Sequence, residues 1–195
     1  MENMRHRIFI AINLPENVKK RLSEYQDKWP DLPARWTRKE NLHITLIFLG
    51  YLPDEELPEI CRITEGIVSK NSPVSVSLKK ICYGPPGKVP PRLVWVEGKK
   101  SEALGKLQKN LTDSLLSSAG QSADRGKTEN RPFLPHLTLA RIKAWEFRKI
   151  EPTERPEVNE DVDFTFEVNS IEIMESQLKR GGPKYTVLES IPLKF

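Results

Sequence analysis

The tripeptide pattern His-x-Thr occurs twice in this chain, as His43-Ile44-Thr45 and as His136-Leu137-Thr138, although the sequence contains only 3 histidines. Each copy lies in a short apolar run that predicts a β-strand. Because successive side chains of a strand point to opposite faces, the histidine and threonine of each copy share one face. Two such strands facing each other would bring two imidazoles and two hydroxyls into one cleft. That combination suits phosphoryl chemistry without a metal, in which one imidazole takes a proton and the other gives one.

Composition sets the broad limits on this chain. With 195 residues, 37% of them hydrophobic, the chain is long enough to fold around a well-buried core. Its net charge of +4 permits an anionic partner without requiring one. Cys61 and Cys82 are too few for a disulfide framework and lack zinc-ligand spacing, so we expect buried thiols in a reducing compartment. The N-terminal segment resembles neither a signal peptide nor a membrane span, and we expect a cytoplasmic protein.

The chain repeats one pattern of strands and helices. Strands are predicted at residues 8–12 and around His43, followed by a helix and an alternating strand at residues 74–78. A second series begins with a strand at residues 93–96, continues with a leucine-striped helix and includes the His136 strand. After Val168 the hydrophobic alternation changes phase, which we interpret as a β-bulge near Asn169 or Ser170.

We therefore predict a single domain, residues 1–195, made of two repeated lobes. The lobes span about residues 7–82 and 91–175, with residues 185–194 as a closing strand. The expected fold class is α+β, pseudo-symmetric, with antiparallel sheets facing a central cleft and helices outside.

Five segments stand in a fixed order along the chain. They are RIFIAINLP from Arg7, RWTRKENLHITLIFLG from Arg35, PPRLVWV from Pro90, RPFLPHLTLAR from Arg131 and MESQLKRGGPKYTVLESIPL from Met174. In this order they resemble the 2H phosphoesterases, and within them the RNA 2',3'-cyclic phosphodiesterases, also described as 2'-5' RNA ligases. Both HxTx motifs are intact, as HITL and HLTL.

The resemblance implies a two-lobed fold and hydrolysis of a terminal RNA 2',3'-cyclic phosphate to a 2'-phosphate. It implies that His43 is the proton donor and His136 the proton acceptor, whereas the sequence itself cannot distinguish two such similar motifs. Thr45 and Thr138 would bind the phosphate oxygens. No metal and no cofactor are expected. The expected partner is RNA with a 2',3'-cyclic phosphate terminus, such as a tRNA half, and the protein is expected to be a monomer that could also act as a reversible ligase.

Four further residues are candidate substrate contacts. Arg131 and Arg141 flank the second motif and could reach the phosphate, but strict alternation turns Arg141 away from His136 unless the strand ends or bends at Ala140. Phe48 and Phe133 are candidates to stack the terminal base, although core packing is the role that we expect for both. Basic clusters at Arg35, Arg38 and Lys39 and at Lys179, Arg180 and Lys184 receive no individual role, and His6 is expected to be exposed to solvent.

Three other interpretations remain open from the sequence. The chain could be a non-catalytic RNA-binding module, or a 2H enzyme acting on a cyclic nucleotide derivative or on another 3' RNA end. It could also be a metalloenzyme with His43 and His136 as ligands, although no third ligand stands at a recognisable spacing.

Overall fold

The computed structural model describes residues 5–118 and 133–194, with no side-chain detail at residue 118. Within these residues the chain forms nine strands and four α-helices. They are β1 (Arg5–Asn13), α1 (Glu16–Ser23), β2 (Ala34–Trp36), β3 (His43–Pro53), α2 (Leu57–Val68), β4 (Val74–Gly84), β5 (Leu93–Gly98), α3 (Glu102–Ser118), β6 (His136–Ile142), α4 (Ala144–Arg148), β7 (Asn159–Val168), β8 (Ser170–Lys179) and β9 (Gly182–Pro192). The predicted α+β class is confirmed.

All of these strands belong to one antiparallel sheet. Its order is β7-β4-β5-β6-β3-β1-β8-β9, with β2 alongside the end of β6. The two histidine strands, β3 and β6, are central neighbours joined through a single residue pair, Ile44 with Leu137. We call β3, β1, β8 and β9 the first half of the sheet, β6, β5, β4 and β7 the second half, and the pairing of β3 with β6 the seam.

The two halves exchange strands. β4 follows the first histidine strand in sequence but pairs with β5 and β7 in the second half. β8 and β9 follow the second histidine strand but belong to the first half, where β8 pairs with β1. The predicted bulge near Asn169 or Ser170 is therefore wrong. The hydrophobic phase changes there because the chain leaves β7 in one half and enters β8 in the other.

One face of the sheet carries the main core. Alternate residues of β1, Ile8, Ile10 and Ile12, are fully buried there. The predicted leucine stripe of α3 lies on the same side, where Leu104, Leu107, Leu111 and Leu115 are all buried. The Ser101 hydroxyl accepts the backbone N–H of Leu104 at 3.3 Å and so caps the start of that helix. The opposite face carries a smaller cluster of Phe9, Ala11 and Met174.

None of the helices within residues 5–118 and 133–194 is long and apolar enough to cross a lipid bilayer.

The seam should depend on its buried pair. Ile44 is 0% exposed, so we expect Ile44→Ala to lower the free energy of unfolding by about 2–5 kcal/mol, through lost burial and a residual cavity. Leu178→Ala is the control, because that side chain is 71% exposed and its truncation should cost less than about 0.5 kcal/mol. Denaturant titration measures both changes, and equal effects would contradict a tightly packed seam.

Candidate active site

The seam places both His-x-Thr motifs on one face of the sheet. Ile44 and Leu137 face each other in an antiparallel pair, so the residues on either side of them are also opposed. His43 therefore lies opposite Thr138, and Thr45 lies opposite His136. All four side chains are half-buried, whereas Ile44 and Leu137 point into the main core. The structure thus brings together the four residues that the sequence singled out.

The His43 ring is held by a backbone carbonyl. Its Nδ1 lies 2.7 Å from the carbonyl oxygen of Asn41 and donates to it. In the neutral imidazole the other nitrogen is then an acceptor, and the Thr45 hydroxyl at 3.0 Å donates to Nε2. The Asn41 side chain in turn donates to the carbonyl of Pro183 at 2.8 Å, which fixes the turn before β3 against the β8–β9 hairpin. Nε2 of His43 is therefore the atom available for proton transfer.

His136 is held in the same way. Its Nδ1 donates to the carbonyl oxygen of Leu134 at 2.9 Å, again two residues earlier in the chain. This arrangement leaves Nε2 of His136 as the second nitrogen available for proton transfer. The repeated use of the carbonyl two residues before each histidine fixes the same tautomer at both positions. The sequence predicted the histidines but contained no signal for these two carbonyls.

An aromatic ring packs against each histidine from the neighbouring strand. Phe9 on β1 lies with its ring centroid 4.9 Å from that of His43, and Trp95 on β5 lies 4.3 Å from His136. The Trp95 ring covers Gly84, where an added Cβ would lie 2.2 Å from the indole. Tyr185 adds an edge contact to His43 alone, at 5.1 Å. The two histidines thus share one mode of support, but His43 is the more enclosed.

The environment of His43 favours its neutral form. Burial lowers the pKa of His43 below its usual value of 6.5, and the positive charge of Lys19 lowers this pKa further. The hydrogen bond to the Asn41 carbonyl acts in the opposite direction and raises it. Lys19 is itself 4% exposed, with its ammonium 3.5 Å from a carboxylate oxygen of Glu16. In the free protein, Nε2 of His43 is consequently an acceptor.

A bulge in β6 returns Arg141 to the site face. The register with β5 passes from Trp95 opposite Thr138 to Val94 opposite Ala140, which leaves Leu139 as the extra residue. Leu139 and Ala140 are both buried, and Arg141 is exposed on the same face as Thr138. Strict alternation was therefore the wrong rule for Arg141.

A second arginine lies beside Arg141. Arg35 on β2 is its direct partner across the strand pair. Gly182, at φ +114°, makes room for Arg35, because a Cβ there would lie 2.1 Å from the guanidinium. Arg38 donates to the carbonyl of Gly181 at 2.9 Å. The β8–β9 hairpin and the basic segment before β3 therefore form one cationic edge of the site, a relation that sequence spacing did not reveal.

The remaining candidate substrate contacts differ in their positions relative to the site. Phe48 is 53% exposed on the site face and packs on Phe9 at 5.8 Å between ring centroids. Phe133 is half-buried against the main core, so packing accounts for it. Arg131 lies outside the described residues.

His6 is not the solvent-exposed residue that we expected. Its Nδ1 bonds to Glu175 at 2.6 Å and its Nε2 lies 2.6 Å from an oxygen of Asp54, with only 20% of its side chain exposed. The hydrogen bond to Glu175 is the main reason that the pKa of His6 is raised. His6 lies on the core face of β1, opposite Leu52, and so has no part in the site.

Neither thiol points to nucleophilic or metal chemistry. Burial raises the pKa of Cys61 and raises that of Cys82 to about 11, which keeps both in the unreactive thiol form. Among residues 5–118 and 133–194 no three histidine, cysteine or carboxylate side chains cluster closely enough to hold a metal ion.

Comparisons with known proteins agree with this geometry. The model of the LigT-like phosphoesterase family matches the chain twice, over residues 12–95 and 101–185. A protein of Methanocaldococcus jannaschii named RNA 2',3'-cyclic phosphodiesterase is 32% identical, covering 94% of this chain and 98% of its own length. One of the same name from Thermus thermophilus is 33% identical, covering 96% and 90%.

A solved structure gives the same result. The protein TT0787 of Thermus thermophilus superposes with a TM-score of 0.81 at 31% identity, over 96% of this chain and 98% of that one. The resemblance noted in the sequence and the predicted two-repeat architecture are both confirmed. The chain belongs to the LigT-like phosphoesterase family.

Proposed function

We propose that this protein hydrolyses the 2',3'-cyclic phosphate at the end of an RNA to a 2'-phosphomonoester. The observation that carries this proposal is the opposition of the two motifs across the seam, with each histidine fixed through Nδ1 so that Nε2 faces the site. The name shared by the M. jannaschii and T. thermophilus relatives supports the substrate.

In the proposed reaction, water attacks phosphorus while the bond from phosphorus to the 3'-oxygen breaks. Nε2 of His136 takes the proton of the water, and protonated Nε2 of His43 gives a proton to the departing 3'-oxygen. A 5'-hydroxyl in place of water would form a 2'-5' phosphodiester by the same proton transfers, which is the proposed ligase activity.

The phosphate oxygens would be bound by the other polar groups of this face. The hydroxyls of Thr45 and Thr138 would donate to the non-bridging oxygens, and the guanidinium of Arg141 would add a charge-assisted contact. These side chains supply donors and positive charge where negative charge develops, so the proposed mechanism requires no metal ion. The exposed ring of Phe48 would stack the terminal base.

The two free cysteines suit a reducing compartment, and we infer that the enzyme acts as a monomer in the cytoplasm.

Removing either histidine should remove most of the activity. We expect His43→Ala and His136→Ala each to slow hydrolysis of a short RNA ending in 2',3'-cyclic phosphate by at least ~100-fold, the loss typical of an acid or a base. The assay is run in EDTA, with product mass and regiochemistry determined. His6→Gln is the matched control, a half-buried histidine away from the site, and it should retain activity. A folded His43→Ala or His136→Ala enzyme with near wild-type turnover would overturn the mechanism.

The threonines should act through their oxygen atoms. Thr45→Ala and Thr138→Ala should each reduce kcat by roughly 10- to 1000-fold if the hydroxyl stabilises the transition-state phosphate. Serine at either position keeps the hydroxyl and should be much milder. Steady-state kinetics of the four variants distinguishes phosphate binding from strand packing. Equal defects for alanine and serine would mean that both threonines serve strand packing.

The lowered pKa of His43 makes the division of roles testable. A donor must be protonated, so in His136→Ala, where His43 titrates without its partner, the residual kcat/KM, which reports the free enzyme, should fall with rising pH below pH 6.5. Bound phosphate is anionic and favours the imidazolium, so the basic limb of kcat should lie at higher pH.

A substrate with a p-nitrophenolate leaving group tests the same assignment independently, because this group leaves with little help from an acid. It should rescue His43→Ala far more than His136→Ala. The opposite pattern of rescue would exchange the two roles, in accord with the neutral state of His43 in the free protein.

A further inference from the structure

Two irregularities in β3 extend the site face beyond the catalytic residues. In the register with β1, Thr45 pairs with Ala11 and Ile47 with Ile10, which leaves Leu46 as an extra residue. Phe48 then pairs with Phe9 and Gly50 with Ile8, which leaves Leu49 as a second one. Each bulge shifts the alternation by one residue. As a result, His43, Thr45, Phe48 and Tyr51 all point to the same face.

Both aromatic residues of this series are open to solvent. Phe48 is 53% exposed and Tyr51 is 46% exposed. Regular alternation from Thr45 would have turned Phe48 into the core, so the bulge at Leu46 brings Phe48 to the site face, and the second bulge at Leu49 returns Tyr51 to that face. Exposed aromatic rings on the face of a sheet are a common means of stacking unpaired bases.

The neighbouring strand adds positive charge beside these rings. Arg7 of β1 is the direct partner of Tyr51, and Arg5 is the partner of Pro53, so both arginines lie on the site face. Both side chains are exposed, and neither forms an ion pair with a carboxylate among the residues that the structure describes. We call Arg5, Arg7 and Tyr51 the outer track.

The outer track is continuous with the catalytic site. The ring of Phe9 lies 4.9 Å from His43 on one side and 5.8 Å from Phe48 on the other, measured between centroids. Because Leu49 is an extra residue, Phe48 and Tyr51 lie opposite Phe9 and Arg7, which are two residues apart on β1, or about 7 Å along the strand. A chain leaving the phosphate site over Phe48 therefore reaches Tyr51 and its arginine partner next.

We propose that the outer track binds the nucleotide that precedes the cyclic phosphate terminus, with its base stacked on Tyr51 and its phosphate beside Arg7. This inference rests on the proposed function and specifies its substrate as single-stranded RNA of at least two nucleotides. Alternating rings and cations match the alternating bases and phosphates of a single strand. The spacing of about 7 Å between Phe48 and Tyr51 exceeds the rise of about 3.4 Å per nucleotide in a stacked helix, so the strand is unstacked on this face.

The test compares substrates of different length. The measured quantity is kcat/KM for a dinucleotide with a 2',3'-cyclic phosphate end, divided by kcat/KM for the mononucleoside 2',3'-cyclic phosphate. We expect this ratio to exceed one in the wild type and to fall about 5- to 150-fold in Tyr51→Ala, the range for loss of one base stack. Tyr51→Phe keeps the ring and should preserve the ratio. Arg7→Gln should lower the ratio and make it less dependent on salt.

Trp145→Ala is the matched control. Trp145 is also an exposed ring beside a cation, with the Lys149 ammonium 5.1 Å from its centroid, but it lies on α4 rather than on the β3 face. Its loss should leave the ratio unchanged. An unchanged ratio in Tyr51→Ala, or an equal fall in Tyr51→Phe or Trp145→Ala, would overturn the proposal.

Failure of the proposed function would be distinguishable from failure of the outer track. If the wild type hydrolyses neither substrate, the proposed function is wrong. Binding at the outer track is then tested separately, by fluorescence anisotropy with a labelled trinucleotide ending in 3'-phosphate. A dissociation constant raised at least about 5-fold in Tyr51→Ala supports the track. Equal binding by the two proteins overturns it.

Discussion

The antiparallel contact between Ile44 and Leu137 is the constraint on which the site depends. It makes the two histidine strands neighbours and fixes which residues oppose each other, so that each histidine faces the threonine of the other motif. The two halves of the sheet share this single pair at the seam, while β2 takes over the pairing with β6 further along. The exchange of strands between repeats supports this junction, because each half is completed by strands from the other end of the chain.

The two repeats support their histidine rings in nearly the same way, but the surroundings of the two rings differ. Each imidazole donates through Nδ1 to the carbonyl two residues earlier, and each packs beside an aromatic residue from the adjacent strand. Tyr185, contributed by β9, closes over His43 alone. The added burial lowers the pKa of His43. A lowered pKa keeps His43 neutral in the free protein, so in the proposed mechanism bound phosphate is necessary for His43 to act as the donor.

Departures from regular strand alternation determine what surrounds this pair. The extra residue at Leu139 turns Arg141 to the site face and beside Arg35. The extra residue at Leu46 turns Phe48 to the same face, and the one at Leu49 keeps Tyr51 there, next to the arginines of β1. The bulges at Leu139 and Leu46 thus place Arg141 and Phe48, which alternation would direct to the core, where they can meet an anionic and aromatic ligand. A β-bulge costs ladder hydrogen bonds locally, and all three bulges lie in β3 and β6, the strands that carry the two His-x-Thr motifs.

The sequence by itself determined the strands, the shared face of each His-x-Thr motif, the buried leucine stripe of α3 and the family, because these depend on local periodicity and on motifs read along the chain. It did not determine the position of Arg141, the partners of His6 or the phase change after Val168. Those depend on bulges, on the crossing of the chain from β7 to β8 and on the carboxylates of β8 and of the turn before α2. The tertiary structure also decided which carbonyls hold the imidazoles and which histidine is enclosed. The physical reason is that register, burial and hydrogen-bond partners are set by residues far apart in sequence, whereas periodicity reports only which side chains share a face while a strand stays regular.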